Sequence, residues 1–388
     1  MNRYLSPYIS KFLKSKFLLL SGPRQVGKTT IAKEWLRESS GRYLNWDISE
    51  DRKEILLKNF TQTSSAIVLD EIHKYSRWKN LVKGLYDKEH ERLKILVTGS
   101  ARLDVFKKGG DSLFGRYEKL RLHPFSIGEL THGKIVEPPD NWLEFITSND
   151  QLNEIWGKLE TLGGFPEPYL SNDKMFHNRW SSQRQELLLK QDLRDLSQIR
   201  DIDLVEHLSL LLPDRIGSPL SLNALRQELQ VAHGTISSWL DMLDHLYITY
   251  RLSPYSNKIS RSLRKEQKLY LWDWSQISDP ASKFENIVAS HLLKNVHLWT
   301  DLGFGDYELR YCRDKEKREV DFIITNKQKP LVLIEAKLSE TVPSKNLLSF
   351  SNLLGNIPMI QLVAKSGIKD KFKNTLVASA AEYLSSLN

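Results

Sequence analysis

The sequence predicts an α/β protein of several domains that opens with a parallel sheet built around a phosphate-binding loop. Three observations carry that prediction. A chain of 388 residues is too long for one typical domain. Its first hundred residues alternate short apolar runs with helical stretches, the pattern of parallel strands joined by crossover helices. The first of those runs leads straight into G-x-x-x-x-G-K-T. The composition, 40% hydrophobic and 27% charged, is that of a soluble globular protein. The single cysteine, Cys312, excludes an intrachain disulfide and a thiolate zinc cluster and suits a reducing cytoplasm. The longest early apolar run, Phe17 to Leu20, is too short for a signal-peptide core or a membrane span. A net charge of +8 suits a partner that carries phosphates.

The segment "KFLLLSGPRQVGKTTIAKEWL" is the most specific in the chain. A strand over 17–20 runs into Gly22, Pro23, Arg24, Gln25, Val26, Gly27, Lys28 and Thr29, and a helix begins at Lys28, Thr29 and Thr30. Glycines at those places let backbone N–H groups close around phosphates, and the helix N-terminus adds partial positive charge. Lys28 then reaches the β- and γ-phosphates, and Thr29 offers its hydroxyl to Mg²⁺. "AIVLDEI" (66–72) is a buried strand ending in two carboxylates. Asp70 is placed to hold the Mg²⁺ shell and Glu71 to polarise the attacking water. "KILVTGSARL" (94–103) is a further strand, and Ser100 at its end is a candidate contact to the γ-phosphate or the water. "YLNWD" (43–47) and "KLRLHPFS" (119–126) read as strands and "WKNLVKGLYDK" (78–88) as a helix. Arg116 is a candidate arginine finger or sensor, acting in cis or from a neighbouring subunit, or else a surface arginine at a strand start.

With these segments in place the chain resembles a large prokaryotic family of AAA-superfamily ATPases fused to a C-terminal domain of unknown function. "LSGPRQVGKTT", "LDEIHK", "TGSA", "SLFGRYEKLRLHPFSIGEL" and "GGFPEPYL" carry the resemblance, which spans nearly the whole chain. It implies an AAA-type P-loop domain, with ATP and Mg²⁺ as its ligands.

"GKIVEPPDN" is a Pro-rich polar break. Residues 141–203 follow with helix-like spacing interrupted by "GGFPEPYL". "LSLNALRQEL", "QVAHG" and "TISSWLDMLDHLYI" read as helix, turn, helix, with Leu222, Leu225 and Leu229 on one face of the first helix and Ile236, Trp239, Leu240, Leu243 and Leu246 on one face of the second. "YITYRLSPY" reads as the strand of a wing. Thr235, Ser237 and Ser238 start the second helix and could meet bases or phosphates, while Asp241 and Asp244 on the same helix oppose a groove. The loop "SNKISRSLRKEQK" carries Lys258, Arg261, Arg264, Lys265 and Lys268, a cluster suited to DNA phosphates. The alternative is a winged helix used for protein packing with a solvated basic loop.

The last stretch contains the amphipathic helix "SKFENIVASHLLKNV" and three β-like runs, "YELRYCRD", "REVDFIIT" and "LVLIEAKLS". A hairpin tipped in "TNKQKP" sets Asp321 opposite Glu335, with Lys337 on the same face. Two carboxylates there suit Mg²⁺ or Mn²⁺, with Lys337 orienting a water or stabilising transition-state charge, and Glu285 on the helix completes the shell. The set Glu285, Asp321, Glu335 and Lys337 resembles the PD-(D/E)xK nuclease fold, with Val320 where that motif has proline. A dead site on a retained fold, or a charged hairpin, is the other reading.

The sequence therefore predicts four parts: a P-loop domain over 1–135, a helical linker or lid over 136–204, a winged helix-turn-helix over 205–267 and a nuclease-like α/β domain over 268–388. The expected protein is a cytoplasmic, Mg²⁺-dependent ATPase without a membrane segment, coupled to a DNA-binding winged helix and a nuclease-like domain, with a homo-oligomer as a candidate assembly. The alternative is a nucleotide-dependent switch or scaffold whose nuclease-like fold binds nucleic acid or protein without cutting.

Overall fold

The computed structural model describes residues 3–37, 39–62, 64–99, 113–145, 151–196, 201–256 and 266–388. The chain divides into two compact units, Met1–Pro124 with His245–Tyr247, and Phe125–Asp244 with Ile248–Asn388.

The first unit is built on five strands: β1 (Phe17–Ser21), β2 (Gly41–Asn45), β3 (Ala66–Asp70), β4 (Lys94–Gly99) and β5 (Tyr117–Arg121). All pair in parallel, in the order β2-β3-β4-β1-β5. Every residue of β1 and β3 is buried, as expected of central strands covered on both faces. Helices α1 (Ser6–Phe12), α2 (Lys28–Arg37), α3 (Ser49–Leu57) and α4 (Trp78–Glu89) flank the sheet. Trp78, Val82 and Leu85 recur at helical spacing on α4 and join Phe17, Ile67, Leu69 and Val97 in one core. β2 and β5 begin two residues earlier than the sequence reading, and β5 stops at Arg121 because its partner β1 ends at Ser21.

The second unit begins with α5 (Ile127–Thr131) and the helices α6 (Leu152–Leu162), α7 (Pro166–Ser171), α8 (Lys174–Glu186), α9 (Leu193–Leu196) and α10 (Ile202–Leu211). "GGFPEPYL" does more than interrupt. Gly163, at φ +74°, ends α6, and Pro166 takes the first position of α7, where its missing N–H costs nothing. Next come α11 (Leu222–Glu228) and α12 (His233–His245), then an antiparallel pair, β6 (Thr249–Leu252) with β7 (Lys268–Leu271). The 22-residue α13 (Pro280–Asp301) leads into β8 (Tyr307–Arg313), β9 (Glu319–Asn326) and β10 (Lys329–Lys337). α14 (Lys345–Leu353), β11 (Met359–Val363), β12 (Lys369–Phe372), β13 (Thr375–Ser379) and α15 (Ala380–Ser385) complete it. The six strands form one mixed sheet in the order β12-β13-β11-β10-β9-β8.

Three expected boundaries move. The first compact unit closes at Pro124 rather than near 135, because α5 belongs to the second. Glu129 of α5 and Lys294 of α13 form a buried ion pair at 2.5 Å, and Lys294 also donates to Ser126 at 2.7 Å. The boundary at 204/205 falls inside α10, and that at 267/268 would cut β7 away from its hairpin partner β6. Removing one member of the Glu129–Lys294 pair leaves a buried charge alone. Lys294→Met is expected to cost about 3–5 kcal/mol. In calorimetry this should lower the transition of the second unit by on the order of 10 °C. Glu129→Leu combined with Lys294→Met should recover most of the loss.

Candidate nucleotide site and C-terminal carboxylate cluster

The loop after β1 is shaped by backbone as much as by side chains. A Cβ on Gly22 would meet the Leu122 carbonyl oxygen at 2.3 Å, so only glycine passes there, and Gly27 turns the chain into α2 at φ +100°. Arg3, which the sequence reading missed, holds the loop from behind through hydrogen bonds of 2.5 Å to the carbonyls of Val26 and His123. Lys28 is buried in the first turn of α2, and its Nζ donates to the carbonyls of Gly22 at 2.9 Å and Pro23 at 2.7 Å. Pro23, Arg24, Gln25 and Val26 form the span between the two glycines, and Thr30 follows Thr29 in α2.

Asp70 ends β3 and is buried with four donors around it. Thr29 Oγ1 donates to Oδ2 at 3.1 Å and the Glu71 backbone N–H to Oδ1 at 3.1 Å. The hydroxyls of Tyr43 and Thr98 also donate to this carboxylate. Register explains the gathering: Asn45 pairs with Asp70, Asp70 with Thr98 and Ser21 with Gly99, so all lie at the carboxyl edge of one parallel sheet. Burial and the adjoining Asp70 carboxylate push the Tyr43 hydroxyl pKa upward, which keeps it a donor. Tyr43 and Thr98 were visible in the sequence only as strand residues. Glu71 adopts a left-handed backbone, φ 54° and ψ 19°, the kind of strain that collects at functional sites. Its Oε2 lies 3.6 Å from His73 Nε2. Burial holds the His73 pKa below its usual range, against the opposing pull of Glu71. Oxygen donors from Thr29 and Asp70 beside a lysine and a helix N-terminus fit Mg²⁺ and a nucleotide's phosphates.

Arg116 is not part of this assembly. Its carbonyl accepts from Phe17 N–H at the amino end of β1, while the phosphate loop leaves the carboxyl end. Its guanidinium binds Asp87 at 2.6 Å, so a sensor role in cis is corrected to a surface ion pair. Ser100 lies outside the described residues, as do Lys258, Arg261, Arg264 and Lys265.

In the second unit α11 and α12 bury Leu225, Leu229, Ile236, Trp239, Leu240 and Leu243, as the periodicity predicts. The two acids on α12 face Arg251 of β6. Arg251 binds Asp241 at 2.5 Å and Asp244 at 2.8 Å, and Thr249 also donates to Asp244 at 2.6 Å. Both acids are thus spent on the hairpin and do not oppose an approaching anion as free charges. Ser238 is exposed, with Thr235 and Ser237 half-buried.

The β9–β10 hairpin turns on Lys327 and Gln328, both with positive φ. A two-residue turn with the ladder starting at Asn326–Lys329 would set Glu335 opposite Val320. A bulge between Pro330 and Val332 advances the register by one, so Ile334 faces Phe322 and the next step brings Glu335 opposite Asp321. Pro330, which lacks an N–H for the ladder, stands at the bulge. The juxtaposition the sequence predicts is thus reached through an irregularity it does not announce.

The electrostatics of the cluster differ from the expectation. Lys268, read as part of the basic surface loop, is fully buried. Its Nζ contacts Glu319 at 2.8 Å, Glu285 at 3.1 Å and Asp321 at 3.1 Å. Tyr270 adds a hydrogen bond to Glu285 at 2.8 Å, and Ala336 N–H donates to Asp321 Oδ2 at 3.0 Å. Glu335 instead pairs with Lys337 at 3.0 Å, and its Oε2 is buried without a hydrogen bond. Burial would lower the Lys268 pKa, but Asp321, Glu285 and Glu319 together hold it above the usual value. Burial and then the Asp321 charge push Glu285 and Glu335 up to about 7. Glu285, Asp321 and Lys337 line a polar cavity of about 380 Å³. The arrangement does not fit the expected metal: the oxygens of Glu285 and Asp321 meet an ammonium. Among the described residues no three His, Cys, Asp or Glu side chains are arranged to hold an ion. The residues of the expected ligand set are held by two ammonium groups instead, Glu285 and Asp321 by Lys268 and Glu335 by Lys337.

Comparison with known proteins fits the division into dissimilar parts. Residues 14–131 match a family model described as an AAA domain. Residues 154–278 and 282–380 match two models described as domains of unknown function (DUF8612 and DUF4143). An uncharacterized protein of Haemophilus influenzae is 22% identical over 352 residues, covering 82% of each chain. An uncharacterized protein of Methanocaldococcus jannaschii is 20% identical over 372 residues, covering 90% of this chain and 81% of its own. Among solved structures, a signal-transduction ATPase with a tetratricopeptide-repeat sensor from Pyrococcus horikoshii aligns at 12% identity with a TM-score of 0.25. This chain spans about half of that one, 47%, and 78% of its own length is covered. The match over 14–131 and the parallel sheet around the phosphate loop together establish an AAA-type P-loop domain in the first unit.

The raised carboxyls carry a pH signature. A carboxyl at about 7 when folded and about 4.5 when unfolded binds an extra proton in the folded state between those values. Stability of the second unit is expected to fall as pH rises from 5 to 8, by up to about 3 kcal/mol for Glu335. Glu335→Gln should flatten that slope in melting curves across the range, and an equally steep mutant profile would remove Glu335 as its source.

Proposed function

We propose that the chain is a Mg²⁺-dependent nucleoside triphosphatase whose second unit binds nucleic acid without cutting it. The observation that supports hydrolysis is the gathering of Lys28, Thr29, Asp70 and Glu71 at one sheet edge, with Asp70 saturated by donors. Thr29 and Asp70 would hold Mg²⁺, which neutralises charge on the phosphates when bound. Lys28 contacts the β- and γ-phosphate oxygens. Glu71, set by its strained backbone, orients the attacking water, and His73 beside it limits where the carboxylate swings. ATP is the substrate this reading favours.

For the second unit, α11, α12 and the β6–β7 hairpin support a winged-helix reading. Arg251 pairs with the two acids that the sequence set against a groove and offsets part of their charge. The hairpin's connecting loop carries the basic residues proposed to meet phosphates. The mixed sheet with Glu285, Asp321, Glu335 and Lys337 supports a PD-(D/E)xK-like fold, and the pairing of its carboxylates with Lys268 favours a non-cutting one.

Two measurements test the proposal. Lys28→Ala is expected to lose hydrolysis altogether, and Glu71→Gln to keep nucleotide binding while turnover falls about 10²–10⁴-fold. Phosphate release and a fluorescent-nucleotide titration separate the two, and wild-type turnover in Lys28→Ala would sink the assignment. Plasmid, linear and single-stranded DNA with Mg²⁺ or Mn²⁺ should be shifted in gels but not cleaved. Cleavage that Asp321→Ala abolishes would overturn the non-cutting reading, and absence of any shift would remove nucleic acid as the partner.

A further inference from the structure

We infer that Lys268 is the resident cation of the C-terminal carboxylate cluster, a permanent ammonium held among Glu285, Glu319 and Asp321, which makes the cluster independent of metal.

The inference rests on valence and on place. An ammonium carries three donors and accepts nothing. Lys268 faces carboxylates of three residues at 2.8, 3.1 and 3.1 Å, so its donor capacity is used in full. Those partners come from two elements, Glu285 from α13 and Glu319 and Asp321 from alternate positions on one face of β9. The neighbouring groups add to this. Arg313 binds the second oxygen of Glu319 at 3.2 Å, Tyr270 shares Glu285 Oε1 with Lys268, and Ala336 N–H donates to the second oxygen of Asp321. On the far side of Glu285, a Cβ on Gly217 would fall 2.7 Å from Oε2, so backbone closes in there too. Lys268 cannot step aside easily. Its side chain is wholly inaccessible, and its backbone pairs with Leu252 in the β6–β7 ladder. An entering dication would have to displace it into protein or share three carboxylates with it.

The ammonium also reaches across elements in a way an ion cannot. It belongs to the hairpin that follows α12, whereas its anions belong to the helix and sheet behind. It therefore fastens the hairpin to the mixed sheet while offsetting part of the carboxylate charge. Tyr311 and Pro254 reinforce the junction through a parallel bridge, with Tyr255 N–H donating to the Tyr311 carbonyl at 2.7 Å.

The test is Mn²⁺ binding to the nucleotide-free full chain, read as the loss of the free-ion electron paramagnetic resonance signal. Wild type is expected to hold no Mn²⁺ at this cluster, so its titration matches that of Asp321→Asn. Lys268→Met keeps an unbranched side chain, one atom shorter, and removes its charge. It should gain one Mn²⁺ site, at least tenfold tighter than anything in wild type, and Asp321→Asn in the same chain should abolish it. Should Lys268→Met fail to fold, Lys268→Met with Glu319→Gln removes one carboxylate with the ammonium and is read in the same way. A wild-type Mn²⁺ site that disappears in Asp321→Asn would overturn the inference. So would a folded Lys268→Met chain, or its double variant, that gains no site.

Discussion

A charge taken out of water must find its counter-charge inside, and that constraint organises both units. Lys28, Lys268 and Lys294 are all buried. Each is surrounded by acceptors, and each set of acceptors fixes a different piece of architecture. Lys294 with Glu129 draws the α5 segment onto α13. Lys268 locks the β6–β7 hairpin to the carboxylates of α13 and β9. Lys28 lies against the carbonyls of its own loop, where the acceptors are neutral dipoles rather than anions. Of the three, Lys28 is the one whose hydrogen bonds to Gly22 and Pro23 tie it to the phosphate loop itself.

The first unit turns a property of parallel sheets into a site. Parallel strands end at a common edge, so the loop after β1, the acids after β3 and the hydroxyl of Thr98 on β4 meet without any long-range coincidence. The donors crowding Asp70 keep its position defined. Arg3, from outside the motif, braces the Val26 carbonyl. These neighbours make the loop a preorganised feature rather than a flexible strap.

The second unit follows a different rule. Its acids are more numerous at the cavity than its exposed bases, yet little of that charge is free. Arg251 takes two carboxylates on α12, Lys268 takes three behind the hairpin, and Lys337 takes Glu335. A residue pattern associated with metal-dependent chemistry is thereby converted into a network of ion pairs.

Sequence alone determined what depends on local spacing. The phosphate loop, the acids at the end of β3, and the amphipathic faces of α11 and α12 all follow from neighbours in the chain or from periodicity, whereas Asp321 comes opposite Glu335 only through the bulge between Pro330 and Val332. Arg116 shows the limit, since its place before a strand says nothing of which sheet edge it reaches, and the fold sets it at the end away from the phosphate loop. Lys268 shows it more sharply. In the sequence it is one basic residue in a basic loop, but it is the first residue of a strand whose face turns inward. Only tertiary structure decides that, because burial and counter-charge arise from elements 17, 51 and 53 positions away (residues 285, 319 and 321). Tyr43 and Thr98 belong to the same class. Their hydroxyls gain a partner only when three strands align in register, a relation that no single segment contains.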